Sequence, residues 1–391
     1  MDALSISYFT AASLIVYSYA LYPMLLSVIA PRLGRFNSAP SALVEDQLPS
    51  VTFLIAAHNE AQEIRQRIEN LLALDYPPEL MQILIASDGS SDDTFAIASS
   101  FDDNRVRAEE HTPNIGKSAT LNRYLPEARG DVIIMSDANT HFSSDVARLL
   151  VRWLANPGII AVSGKLSLLD PETGNNVDSA YWRYENKIKR LEGLLGAKLG
   201  ANGAIYAFRK ADFAGFPSNT IVDDFVIPLL IKLRRGGNIV FDTEACATEP
   251  TPADISDEFT RRVRIGTGAY QSLSLLWPLI LPRHGWTSFC FFSHKILRWL
   301  TPFLLVFMVT ISFAGVGRPL FNVLLALEAI AGATVFVGLR IGGSGVLSQL
   351  LRTASMFGTM NAALFLGCWR YLTTPQSGTW KRTSRSNNDD K

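Results

Sequence analysis

Asp137 and Asn139 stand one residue apart at the end of an apolar run, Asp131 to Ser136. At a strand end, two such oxygen-bearing side chains can share a hard cation, Mg²⁺ or Mn²⁺, that completes its shell with diphosphate oxygens. An Asx turn uses the same pattern. Asp223 and Asp224 follow Val222 and open a helical stretch to Arg235, which stops at Gly236-Gly237. Adjacent acids there can cap the helix and pair with its dipole, or one can take a proton from an attacking hydroxyl. Glu60 and Asp88 end two more apolar runs, Val51 to Ala57 and Gln82 to Ser87. Their carboxylates can accept hydrogen bonds from a nucleobase or ribose, although Asp88 and Asp92 can equally cap a turn and the next helix. Lys117, after Asn114-Ile115-Gly116, stands near a helix N-terminus, where anions bind, or is a solvated surface lysine. Arg261-Arg262-Val263-Arg264 can fork onto phosphate oxygens or meet lipid headgroups.

These residues need a scaffold that gathers strand ends. From Leu48 to about Ala269, short β-rich runs alternate with helical patterns such as Ala61 to Leu74, whose Ile64, Ile68, Leu71 and Leu72 share a face. Strand, helix, strand is the unit of a nucleotide-type α/β sheet, which binds ligands beyond the carboxyl ends of its strands.

The rest of the chain is membrane-like. Hydrophobic residues make up 48% of it, and 36 basic side chains balance 36 acidic ones, so no charge excess points to a nucleic-acid partner. Cys246, Cys290 and Cys368 lack metal-ligand spacing and read as buried thiols in a reducing compartment. Residues 3–31 carry no charge, and Ile6 to Ala30 is long enough to cross a bilayer. A cleaved leader fits less well, because the segment is long, has no basic start and runs into Arg32 and Arg35. Those arginines predict that the next domain starts in the cytosol. The predicted organisation is a transmembrane helix over 1–31, a soluble domain over 48–269, interfacial helices over 270–298, transmembrane helices over 299–370 and a polar tail over 371–391. The late spans are Trp299 to Gly317, Pro319 to Leu339 and about Leu350 to Trp369. Three late crossings would put Lys381, Arg382 and Arg385 outside, against the charge rule, unless one segment is re-entrant or the tail is exempt.

The order Ala57-His58-Asn59-Glu60, Ser87-Asp88-Gly89-Ser90, Gly116-Lys117, Ser136-Asp137-Ala138-Asn139, Gly203-Ala204, Val222-Asp223-Asp224 and Arg261-x-x-Arg264 resembles the family 2 inverting glycosyltransferases of GT-A fold. It is similar to their membrane branch of cellulose-synthase-like and poly-N-acetylglucosamine-synthase-like enzymes, as is Ser293 to Trp299 before the second span. The resemblance implies a Rossmann-like mixed sheet flanked by transmembrane and interfacial helices. It implies that Glu60, Asp88, Lys117, Asp137 and Arg264 contact the donor, that Asp137 and Asn139 bind the metal, and that Asp224 is the catalytic base. Asn202, Gly203 and Asp223 then lie on the acceptor side, with Gly203 opening a strand to Phe208. Asn139 stands where the family's motif has a carboxylate, which weakens cation binding. Arg261 and Ile265 stand where processive members carry glutamine and tryptophan, and without the indole a sugar-stacking platform is lost.

The function this implies is inverting transfer of a hexose or N-acetylhexosamine from a UDP-sugar to a growing polysaccharide or lipid-linked glycan. The alternatives are addition of one sugar to a lipid carrier, from a UDP-sugar or GDP-mannose, and a silent scaffold of the same fold, against which Asp137 and Asp224 argue together. Transport would rest on Glu328 alone, an intramembrane acid with no clearly placed opposite charge. The implied setting is a bacterial cytoplasmic membrane, with the lipid as partner and the catalytic domain in the cytosol.

Overall fold

The computed structural model describes residues 2–169, 180–250, 255–341, 345–376 and 378; the basic tail residues Lys381, Arg382 and Arg385 lie outside the described residues. The chain divides into two compact units. One holds residues 26–254, 272–290 and 376–391, and the other residues 1–25, 255–271 and 291–375.

The first unit is built on a mixed sheet of eight strands among the described residues: β1 (Val51–Ala57), β2 (Met81–Asp88), β3 (Val106–His111), β4 (Val132–Met135), β5 (His141–Phe142), β6 (Ile159–Leu169), β7 (Tyr206–Arg209) and β8 (Asn238–Pro250). Their order is β3-β2-β1-β4-β7-β6-β8-β5. β1 is parallel to both β2 and β4, whereas β7 runs antiparallel to β4 and β6. Every residue of β1 and β2 is buried, which explains their largely apolar sequence, since a parallel sheet covered on both faces leaves no polar side to alternate with; the buried Thr52 and Gln82 bond each other (2.9 Å). Helix Ile64–Leu72 places Ile64, Ile68 and Leu71 in this core. Edge strand β3 is polar instead, and its Arg107 pairs with Glu109 and Glu127, which discourages pairing with another chain.

The strand expected to open at Gly203 begins at Tyr206, because Ile205 N–H donates to Asn202 O (2.9 Å) and closes a turn over Gly203 and Ala204. Helix Asp223–Arg235 begins beside its two acids, and Gly236 (φ +75°) follows its last residue.

The other unit is helical. Three helices among the described residues are long and apolar enough to cross a membrane: Ala3–Leu33, Trp286–Ala314 and Pro319–Gly338. Two features differ from the sequence reading. The surface segment 286–298 and the span expected from Trp299 form one helix without a break. Its basic residues face into the bundle: His294 is 1% exposed, Arg298 is 8% exposed, and the Arg298 guanidinium lies 4.9 Å from the Tyr19 ring centre. Polar contacts also join the two helices at π-helical turns, where Ser18 Oγ–H donates to Ser293 O (2.9 Å) and the Tyr17 hydroxyl pairs with Ser293 Oγ (2.9 Å). The second difference is Val346–Thr373, which is long enough to span but holds Ser355, Thr359 and Asn361 and is not among the three apolar helices.

Candidate active site

The loops after β1 and β2 are knitted together. The His58 ring bonds Asp88 O (2.8 Å), Ser91 N–H donates to Asn59 Oδ1 (2.7 Å), and Glu60 N–H donates to Thr94 Oγ1 (2.8 Å). Asn59 accepts a left-handed conformation (φ +57°) to make this link. Glu60 is half-buried at the rim. Asp92 is a cap: it takes Thr94 N–H (3.0 Å) and also Ala61 N–H (3.1 Å).

Asp88, expected to contact the donor, is enclosed by its own neighbours. Its side chain is 0% exposed, and its oxygens accept Ile115 N–H (2.7 Å), Gly116 N–H (2.8 Å) and the His111 ring N–H (3.0 Å). A carboxylate so enclosed holds the loop that delivers Lys117. Two glycines make that loop possible. Gly89 (φ +60°) lies so near Asn114 that a Cβ would sit 2.5 Å from its backbone nitrogen, and Gly116 (φ +91°) turns the chain into helix Lys117–Tyr124.

That helix brings Lys117 to the end of β4. Its Nζ lies 2.6 Å from Asp137 Oδ1 and 3.8 Å from Asp223 Oδ2. Burial alone would lower the lysine pKa, but the Asp137 and Asp223 carboxylates outweigh it and raise the value, so the ammonium stays charged. Gly203 stands between the remaining carboxylates. A Cβ there would be 3.5 Å from Asp224 Oδ2 and 3.6 Å from Asp137 Oδ2, and the Gly203 N–H donates to Asp224 Oδ2 (3.1 Å). Gly203 thus lies within contact range of both carboxylates. Asn202 is half-buried beside it and is tied by its N–H to Ser163 Oγ (3.1 Å), and Asn139 is half-buried in the turn closed by Thr140 N–H on Asp137 O (3.4 Å).

The two neighbouring acids differ. Asp224 is half-exposed, whereas Asp223 is 7% exposed, and its Oδ2 has no hydrogen-bond partner. Burial raises the Asp223 pKa; Lys117 opposes this, and Asp224 and Asp137 add to it. Arg264, expected near the donor, is exposed on helix Ile255–Leu276, with residues 255–271 of that helix in the other compact unit.

Two residues that motif reading passed over belong to this site. Arg67 is 1% exposed, and its guanidinium donates to Ser136 Oγ (2.8 Å) and Asn70 Oδ1 (2.7 Å) and lies 4.1 Å from the Phe142 ring centre. Burial pulls its pKa down to about 9, with Glu249 and Asp137 opposing, so it remains a cation behind the Ser136-Asp137 turn. Tyr206 is 0% exposed, its hydroxyl has no hydrogen-bond partner, and burial raises its pKa, reinforced by Asp223, Asp224 and Asp137. Helical periodicity gave no sign of Arg67, and no motif singled out Tyr206.

A cation fits this arrangement in one way. Among the described residues no three His, Cys, Asp or Glu side chains cluster to hold an ion by themselves. Asp137 does hold a positive group, the Lys117 ammonium, and a divalent cation in its place would need further oxygens from a bound ligand.

Residues 52–213 match the profile of Glycosyl transferase family 2. The chain is 28% identical over 247 residues to the poly-beta-1,6-N-acetyl-D-glucosamine synthase of Staphylococcus aureus (strain COL), covering 61% of this chain and 58% of that protein's length. A Staphylococcus epidermidis synthase of the same name is 26% identical over 242 residues, covering 60% of this chain and 58% of its own. Among solved structures, a mannosyltransferase from Pyrobaculum calidifontis in complex with GDP-Man and Mn²⁺ superposes with a TM-score of 0.69 at 20% identity, over 94% of this chain and 99% of that one. Residues 52–213 are therefore similar to glycosyl transferase family 2 domains, and they lie on a mixed sheet of GT-A type.

Proposed function

We propose that this chain is an inverting, divalent-cation-dependent membrane glycosyltransferase that moves a hexose or N-acetylhexosamine from a UDP-sugar onto a growing polysaccharide or lipid-linked glycan. The observation that carries this reading is the convergence of Asp137, Asp223, Asp224 and Lys117 around Gly203. Asp137, with Asn139, would hold Mg²⁺ or Mn²⁺, which supplies charge neutralisation for the departing diphosphate. Lys117 adds a second positive charge on that side, and Glu60 at the rim faces the nucleoside.

Asp224 is the base in this reading. Its half-exposed carboxylate accepts the proton of the acceptor hydroxyl while that oxygen bonds to the anomeric carbon. The bond from that carbon to the diphosphate breaks on the opposite face, and the nucleoside diphosphate leaves with the electron pair. Configuration inverts because there is one displacement. Asp223, enclosed beside Lys117, orients its neighbours. Asn202 and Gly203 lie on the acceptor side, Arg264 remains a candidate for the donor phosphates, and the domain over 48–269 faces the cytosol of a bacterial inner membrane.

A single addition to a lipid carrier is the second reading. It is favoured by the exposed, aliphatic Ile265, which offers no stacking face to a polymer. Membranes containing the protein, incubated with radiolabelled UDP-N-acetylglucosamine, UDP-glucose and GDP-mannose, test both. Label from a UDP-sugar entering polymer supports the first reading, label confined to lipid extracts supports the second, and label from none of the three counts against transfer.

A further inference from the structure

Lys117 holds the place a metal ion would take. Its ammonium is 2.6 Å from Asp137 Oδ1 and 3.8 Å from Asp223 Oδ2, and its side chain is only 20% exposed. The charged groups around it are the carboxylates of Asp137, Asp223 and Asp224. A second cation near Asp137 is Arg67, whose two terminal nitrogens donate to Asn70 and Ser136. The site without donor is thus one ammonium among three acids.

We propose that Lys117 is an internal counter-ion that excludes the divalent cation from the free protein and releases Asp137 only when a diphosphate arrives. This rests on the proposed cation site at Asp137. A divalent cation arriving alone must take Asp137 from an ammonium already in contact with it, and must then sit beside that charge. A cation arriving with a diphosphate meets no such opposition, because the same ligand offers the ammonium new oxygens. Lysine suits the exchange: it is a compact point charge on a four-carbon stem, able to swing between acceptors a few ångströms apart. Cation and nucleotide then bind cooperatively, each tightening the other by the same factor, and Lys117 is the residue that couples them.

Mn²⁺ binding to the purified full chain in detergent, followed by electron paramagnetic resonance with and without UDP, and with GDP in parallel, tests this without turnover. The wild type is expected to bind free Mn²⁺ weakly and to tighten steeply when a nucleotide is added. Lys117→Met is expected to bind Mn²⁺ without nucleotide on the order of tenfold more tightly and to lose on the order of tenfold of the nucleotide's effect, within the usual range of coupling between sites. Lys117→Arg keeps the positive charge and is expected to bind free Mn²⁺ as weakly as the wild type. Lys117→Gln gives the same comparison should the methionine variant fold poorly by thermal unfolding. A neutral variant that binds free Mn²⁺ no better than wild type, or keeps the full nucleotide effect, overturns the proposal. Asp137→Ala separates this from the underlying reading. If it binds Mn²⁺ with UDP as well as wild type, the cation is not at Asp137 and both fall. If it loses that binding, the Lys117 variants alone decide.

Discussion

Asp223 and Asp224 are adjacent in sequence and opposite in circumstance, and the difference is tertiary. Asp224 accepts the Gly203 N–H, while Asp223 is buried with its Oδ2 3.8 Å from the Lys117 ammonium. Their order on the first turn of a helix was legible; which one is enclosed was not, since it depends on β7 and on a loop about a hundred residues earlier. Asp88 teaches the same point. A carboxylate at a strand end looks like a ligand contact, and nothing local shows that Ile115 N–H, Gly116 N–H and the His111 ring also bond it. Arg67 offers a test at this scale. Removing the Arg67 guanidinium leaves Ser136 and Asn70 without their buried donor, so Arg67→Met is expected to lower the unfolding temperature as well as the activity. Losing the bond to Ser136 Oγ frees the turn carrying Asp137, and a shift of about 1 Å in a catalytic group can cost about 100-fold, so kcat/KM is expected to fall by about 10- to 100-fold. Unchanged kcat/KM would remove Arg67 from the site.

Among the elements, those made by local sequence were the most readable. β1 has the expected bounds, Val51–Ala57, because a strand buried on both faces advertises itself as an apolar run ended by polar residues. The turn over Gly203 was harder, since nothing in Asn202-Gly203-Ala204 distinguishes a strand start from the turn that Ile205 closes. Helix Trp286–Ala314 was split by the reading because His294, Lys295 and Arg298 look like interfacial residues, whereas His294 and Arg298 are buried within the helical unit. The loop that carries Lys117 is the element most sensitive to a single atom. Gly89→Ala puts a side chain into a left-handed conformation and a Cβ 2.5 Å from Asn114 N. It is expected to cost about 1–3 kcal/mol. Thermal unfolding checks this: a clear drop in midpoint is expected, and a midpoint equal to wild type contradicts the geometry.

For the whole molecule, the helices bear on the conflict over the basic tail. With Trp286–Ala314 and Pro319–Gly338 as a pair of crossings, Arg340 returns to the side of the α/β domain, as the positive-inside bias favours. Helix Val346–Thr373 packs through Phe357 on Tyr19, Phe365 on Phe303 and Gly367 on Gly266 of the amphipathic helix Ile255–Leu276. Impermeant thiol labelling in intact cells is expected to leave both Ser100→Cys and Gln376→Cys unmodified and to label both after permeabilisation. Labelling of Gln376→Cys alone in intact cells would make Val346–Thr373 a crossing helix.

The proposed role of Asp224, taking a proton from the acceptor in a single displacement, is tested by the kinetics of one conservative variant. Asp224→Asn keeps the shape and removes the base, and a positioned base contributes about 10²- to 10⁴-fold. Transfer of radiolabelled sugar and binding of UDP with Mn²⁺ are measured on wild type, Asp224→Asn and Asp223→Asn. The expected result is a fall in kcat of about 10²-fold or more for Asp224→Asn with nucleotide affinity intact, and a smaller loss for Asp223→Asn. A larger loss for Asp223→Asn, or an Asp224→Asn variant that loses nucleotide affinity while keeping its rate, would contradict the account.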